Sequence, residues 1–187
     1  MGKGSNVVKK LTLLFVALVY ILIFSPNSAY AVPSGLEAWC NNLGQTWIAG
    51  TSTCSVASLS LSNVDFTILP IETLLITNSG DVNNKGTITN KGTITNNGIL
   101  INDVTINNEG TINNDGNTFN NYGTINNDGT INNYARLNNQ GTTYNDGTIN
   151  NYCAEFTGNA PIGNAIIEHS CVYLPIVCYY EGTTTMK

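Results

Sequence analysis

The stretch Gly123-Thr124-Ile125-Asn126-Asn127-Asp128-Gly129-Thr130-Ile131-Asn132-Asn133-Tyr134 decides the fold. It is one hexapeptide written twice, Gly-Thr-Ile-Asn-Asn-x, and the unit extends in both directions. From Gly80, glycine recurs every sixth residue at Gly86, Gly92, Gly98, Gly110 and Gly116, with Val104 in one slot. After one inserted residue it resumes at Gly123, Gly129, Gly141 and Gly147, with Ala135 in another slot. Two places after these slots sit Val82, Ile88, Ile94, Leu100, Ile106, Ile112, Ile125, Ile131, Leu137 and Ile149. Asparagine stands four places after them, from Asn84 to Asn151.

A fixed short period marks a solenoid. The period is even, and strand side chains alternate with period two, so Gly, Ile and the second Asn share one side. Thr, the first Asn and the variable residue take the other. A helix cannot hold one face at period six, and Gly, Asn and Thr are poor helix formers. A disordered Asn-rich tract would not space an aliphatic residue so regularly. The sequence therefore predicts an all-β chain, a parallel β-solenoid (β-helix) of hexapeptide repeats. Its Ile residues stack about 4.8 Å apart, glycine supplies the corner dihedrals, and stacked Asn forms amide ladders. Asn127–Tyr134 repeats as Asn145–Tyr152, eighteen residues later, which favours three hexads per coil over two.

Outward from the repeat, the composition changes. Val32 to Ser62 contains Trp39, Cys40, Trp47 and Cys54 and reads as an N-terminal cap; residues 63–152 are the solenoid, opening with irregular strand-rich coils. Residues 153–187 abandon the hexad for strand formers, including Ile162, Ile166, Ile167, Val172, Leu174 and Tyr179-Tyr180. They are expected to be a β-rich C-terminal cap or an interaction segment, since solenoid ends expose strand edges that must be covered. Residues 1–31 read as a signal peptide: Lys3, Lys9 and Lys10, an apolar run from Leu11 to Phe24, then Ala29-Tyr30-Ala31 as a cleavage site. The run is shorter than the roughly 20 residues of a spanning helix, so no membrane span is expected after cleavage.

Charged residues make up only 10% of the chain, against roughly 25% in an ordinary domain. The formal charge is −5, and removal of the three leader lysines takes it to −8. Such a chain is unsuited to nucleic acid, which selects basic faces.

Trp39-Cys40, Leu43-Gly44-Gln45-Thr46-Trp47, Thr53-Cys54-Ser55-Val56 and the following Gly-Thr-Ile-Asn-Asn hexads resemble secreted archaeal repeat proteins. The hexads are also similar to passages in bacterial adhesins. The resemblance covers about Trp39 to Tyr152 and implies an extracellular, adhesin-like β-solenoid; it implies little about activity.

Export makes the five cysteines a disulfide question. Four to six coils separate the two ends by roughly 20–30 Å, whereas a disulfide needs Cα atoms within about 7 Å. Cys40 is therefore expected to pair with Cys54. Among Cys153, Cys171 and Cys178, the preferred pair is Cys153 with Cys171. A zinc site from Cys153, His169, Cys171 and Cys178 is the competing idea, although no Cys-x-x-Cys spacing supports it. No cofactor and no metal are expected.

His169 is the single histidine, between Glu168 and Ser170. Neighbours on a strand point to opposite faces, so the trio is not a catalytic relay, and the hexapeptide acyltransferases that share this period place their histidine within the coils. Asp103, Glu109, Asp115, Asp128 and Asp146 share the outward slot before glycine, with Lys85 and Lys91 in it earlier. Stacked carboxylates could hold calcium, but solubility of a flat surface explains them more simply. Thr87-Ile88-Thr89 and Thr93-Ile94-Thr95 resemble the Thr-x-Thr rows of ice-binding solenoids. Tyr122, Tyr134 and Tyr152 share the outward slot too, and aligned aromatics suit surface glycans. The expected function is non-enzymatic: a structural or adhesive surface component, with glycan or ice binding as the alternative. Surface glycans or copies of the chain itself are the expected partners.

Overall fold

The computed structural model describes residues 35–62 and 64–171. Residues 1–31, read from the sequence as a signal peptide, and the segment carrying Cys178, Tyr179 and Tyr180 lie outside the described residues. What is described is a parallel β-solenoid of about six turns with three strands per coil. A short helix, α1 (Leu36–Asn42), leads into β1 (Thr46–Ile48) and β2 (Thr53–Ser62). The coils are then wound from β3 (Phe66–Ile68), the long β4 (Thr73–Lys85), β5 (Thr87–Asn90), β6 (Thr93–Asn96) and β7 (Ile99–Asn102). They continue as β8 (Thr105–Asn108), β9 (Thr111–Asn114), β10 (Thr118–Asn121), β11 (Thr124–Asn127) and β12 (Thr130–Asn133). Last come β13 (Arg136–Asn139), β14 (Thr142–Asn145), β15 (Thr148–Tyr152), β16 (Glu155–Gly158), β17 (Ile162–Gly163) and β18 (Ile166–His169).

Every third strand stacks. Face one carries β7, β10, β13 and β16; face two carries β3, β5, β8, β11, β14 and β17; face three carries β6, β9, β12, β15 and β18. β4 bends across a corner, pairing β6 through Thr73–Ile76 and β7 through Asp81–Asn84, so faces one and three form a single sheet. The winding is wider than residues 63–152: β2 already pairs β4 in parallel, and β16 to β18 complete a coil beyond Tyr152. These outer strands escape a hexad search because their partners, not the motif, place them.

Strand burial alternates as the period of two requires, and Ile88, Ile106 and Ile125 on face two are fully buried, as are Ile94, Ile112 and Ile131 on face three. Asn117 is the inserted residue; it lies at a corner, so Phe119 rather than an aliphatic fills that coil between Leu100 and Leu137. Thr143 takes the aliphatic place below Ile125, buried, with its hydroxyl unpaired.

The second Asn of each hexad forms one of three inward ladders. Asn90 Nδ2 donates to Asn108 Oδ1 at 2.7 Å, and Asn108 Nδ2 to Asn127 Oδ1 at 2.7 Å and to the Thr130 carbonyl at 3.1 Å. Each amide thus ties its neighbour's side chain and backbone across the coil spacing, which removes the desolvation cost of a buried polar group. Outward Asn ladders run the other way: Asn132 Nδ2 donates back to Asn113 Oδ1 and Asn150 Nδ2 back to Asn132 Oδ1, both at 2.9 Å.

Glycine's role differs from the expected one. The repeat glycines do not occupy left-handed φ; instead a Cβ on Gly129 would collide with the Gly110 carbonyl oxygen of the preceding coil. Close approach of backbones is the constraint. At the glycine corner Asp128-Gly129, both amides donate to the Asn108 carbonyl, at 2.9 and 2.8 Å. Where Val104 and Ala135 replace glycine, only the preceding residue, Asp103 or Tyr134, makes that bond, and Val104 turns outward, 44% exposed.

The N-terminal end is covered. The Cys40–Cys54 disulfide, with Cα atoms 5.7 Å apart, fastens α1 to β2, and Trp39 stacks on Phe66 at 4.2 Å. The buried Glu72 carboxylate accepts from the backbone amides of Leu36, at 3.0 and 3.1 Å to its two oxygens, and Leu69, at 2.8 Å. A carboxylate at the start of a helix satisfies amides the helix cannot. β1 then pairs antiparallel with β2.

Candidate functional site

Three hexads per coil mean that residues sharing one hexad slot fall on three different corners. The slot before glycine separates accordingly. Lys85, Asp103, Tyr122 and Gln140 line the corner entering face two; Lys91, Glu109, Asp128 and Asp146 line the next; Asp115, Tyr134, Tyr152 and His169 line the third.

The carboxylates are thereby dispersed. Lys91 Nζ lies 3.2 Å from Glu109 and Arg136 Nε 3.5 Å from Glu155, both exposed pairs that contribute little. Among the described residues no group of three or more His, Cys, Asp or Glu side chains is placed to hold a metal ion. The zinc set is contradicted directly, because Cys153 and Cys171 are bonded to each other, Cα atoms 5.3 Å apart, and so offer no thiolate. Cys178 lies outside the described residues.

The third corner gathers the aromatics. Tyr134 and Tyr152 stack with ring centroids 4.5 Å apart and planes 6° from parallel, and His169 stacks on Tyr152 at 4.1 Å. Tyr122, grouped with them by slot, stands on another corner, so the three tyrosines do not make one row. His169, not Tyr122, completes the row; the last coil is only seventeen residues long, so carrying the earlier coil lengths of eighteen to nineteen past Tyr152 overshoots it. Its Nε2 lies 3.2 Å from Asn150 Oδ1, at the foot of the outward ladder. Glu168 points the opposite way and accepts from Asn151 Nδ2 at 2.7 Å, ending an inward ladder with a carboxylate. Glu168 and His169 therefore lie on opposite sides, as strand alternation requires.

Partial burial raises the Tyr134 phenol above the ordinary tyrosine range, helped by the neighbouring Tyr152 phenol and by the Asp115 charge. A sugar that binds an aromatic does so on an open ring face, and in this stack the facing sides of Tyr134, Tyr152 and His169 cover one another. The two Thr-x-Thr rows also fail to adjoin: Thr87-Ile88-Thr89 is β5 on face two, and Thr93-Ile94-Thr95 is β6 on face three. What does run in register is one threonine column on each of two faces: Thr73, Thr93, Thr111, Thr130 and Thr148 on face three, beside the outward Asn113, Asn132 and Asn150, and Thr87, Thr105, Thr124 and Thr142 on face two.

At the C-terminal end, among the described residues, β16, β17 and β18 each pair on one side only. Ile162 there is 57% exposed. Comparison of the chain with protein-family models, with curated proteins and with solved structures yields no match.

Proposed function

We propose that the chain is exported and serves, without catalysing a reaction, as a structural or adhesive component of the cell surface or extracellular matrix, in the manner of the secreted repeat proteins its hexads resemble. The observation that carries this reading is the in-register threonine column and outward Asn ladder on face three. A rigid rod that repeats one hydroxyl and one amide at each coil suits a partner that is itself repetitive, since many weak contacts sum through effective concentration. The two disulfides fit an oxidising compartment. No helix of the described residues is long and apolar enough to cross a membrane.

Glycan binding keeps Tyr122, outside the stack, and Tyr134, which is stacked on one ring only, as its most exposed aromatics of the predicted set, at 49% and 50%. Self-association is supported at the C-terminal coil, where, among the described residues, β16 to β18 pair on one side only and Ile162 is exposed; a strand from a second copy can pair with such an edge.

The test is cell fractionation with an antibody, combined with an attachment assay on cells lacking the protein. Recovery from the washed surface or medium, with weakened attachment or cohesion in its absence, is the expected result. Recovery from the cell interior, or unchanged attachment, would overturn the reading.

A further inference from the structure

The geometry points to a modification site: Tyr134 and Tyr152 are positioned to be coupled by a peroxide-consuming one-electron oxidant into a dityrosine that joins consecutive coils. The rings are already in contact, at 4.5 Å between centroids. Their backbones are fixed by the pairing of Asn133 with Asn151, one residue before each tyrosine, and by the amide ladder between those asparagines at 2.8 Å. Tyr134 is 50% exposed, so an oxidant in solution reaches it. His169 covers the other face of Tyr152, which leaves Tyr134 as the ring it meets. Tyr122 and Tyr144 are equally exposed, at 49% each, but no second tyrosine stacks on either among the described residues.

The chemistry balances with hydrogen peroxide as the oxidant. Each phenol gives up one electron and its hydroxyl proton, and the two radicals join through the ring carbons ortho to oxygen. Each of those carbons then returns its hydrogen to the phenol oxygen as the ring regains aromaticity. The product keeps both hydroxyls and has lost two hydrogen atoms, while one peroxide takes up two electrons and two protons to give two waters. The raised Tyr134 phenol stays protonated at neutral pH, which makes loss of the electron and proton together the relevant step. The new bond staples two coils near the C-terminal end, parallel to the Cys153–Cys171 disulfide on the same corner. It rests on ring contact alone and does not depend on the adhesive reading.

The experiment treats the purified protein with a peroxidase and hydrogen peroxide over a wide dilution series, then unfolds, reduces and digests it. Trypsin cleaves after Arg136 and so places the two tyrosines on separate peptides. A tethered pair has an effective concentration of about a millimolar, roughly a thousand times that of micromolar protein, so coupling within the chain should dominate. The expected result is a cross-linked peptide joining Tyr134 to Tyr152, lighter by two hydrogens than its parts, with a yield per chain that dilution does not change. Tyr134→Phe abolishes it while the circular-dichroism spectrum is unchanged, and Tyr122→Phe leaves it intact. Four outcomes would each overturn the proposal. They are a yield that falls with dilution, a loss as large in Tyr122→Phe as in Tyr134→Phe, coupling only between chains through Tyr122 or Tyr144, and protein recovered unmodified.

Discussion

The first coils and the later ones place different chemistry in the same columns. Ile68 and Ile76 stand in register above Asn90 and Asn96, and from there each column continues as asparagine. Where ladder meets aliphatic, the Oδ1 atoms of Asn90 and Asn96 are buried without a donor. At the other end the ladders are finished: Asn139 Nδ2 donates to the Asn159 carbonyl at 2.7 Å, Asn145 Nδ2 to the Asn164 carbonyl at 2.8 Å, and Asn151 Nδ2 to Glu168. An amide ladder in a dry interior satisfies its members only by continuing. Two of the three starts leave an acceptor orphaned against the aliphatic coils, the third being met by the Gly86 amide, which donates to Asn84 Oδ1 at 3.1 Å, whereas the ends find carbonyls and a carboxylate. The aliphatic coils need no such continuity, but any hydrophobic residue of similar size would fill them, so they fix register less tightly.

Substitutions in the two regions should therefore differ in kind. The largest effect is expected for Asn108→Asp, which is nearly isosteric but removes the donor to Asn127 Oδ1 and the Thr130 carbonyl and buries a charge. Chemical denaturation should show a loss of about 3–5 kcal/mol, the cost typical of an uncompensated buried charge. Asn96→Ala at the ladder's start should cost about 1 kcal/mol less than Asn108→Ala, because the Oδ1 it removes had no partner. Equal losses in these two alanine variants would show that the orphaned acceptor carries no penalty.

Gly129→Ala follows in size, at about 1–3 kcal/mol from forced overpacking against the preceding coil. Val104→Gly should be nearly neutral by the same denaturation measurement, since that corner has already opened. Thr143→Val should instead raise the melting temperature, with a gain of about 1 kcal/mol from replacing an unpaired buried hydroxyl by a methyl of the same shape.

The smallest effect concerns pH. The folded chain holds the Tyr134 proton at pH values where an unfolded tyrosine, near 10, has released it. Tyr134's contribution is whole below that value and is lost as pH rises through the raised folded value. The stability of Tyr134→Phe should accordingly decline less steeply across that alkaline window in a denaturation series.

The periodic region was legible in detail, because a period of six with an aliphatic at a fixed place leaves only one way to alternate strand faces. The Cys40–Cys54 bond was legible too, since coil separation excluded end-to-end pairing; that separation does not choose among Cys153, Cys171 and Cys178, where Cys153–Cys171 was a preference only. Surface grouping was not. A hexad slot recurs three times per coil, so slot identity says nothing of corner identity: Tyr122 was joined to Tyr134 and Tyr152, and Thr87 to Thr93, across corners that never meet. His169 was hidden for a related reason. Its coil lacks the hexad, and β18 is positioned by pairing with β15 rather than by a repeat of its own. The missed Phe119 traces to one inserted residue, Asn117, which a strict count of six cannot absorb.

Hydrogen exchange of asparagine side-chain amides, followed by NMR, would decide whether the ladders hold the coils together. The inward Asn102, Asn108, Asn121 and Asn127 are each buried and bonded above and below. Their Nδ2 protons should exchange as slowly as the backbone amides of the same coils, opening only with global unfolding. The outward Asn107, Asn113 and Asn120, which meet solvent, should exchange far faster. Inward side-chain amides that exchange as rapidly as these outward ones, in a protein whose backbone amides remain protected, would contradict a stack held by interior asparagine.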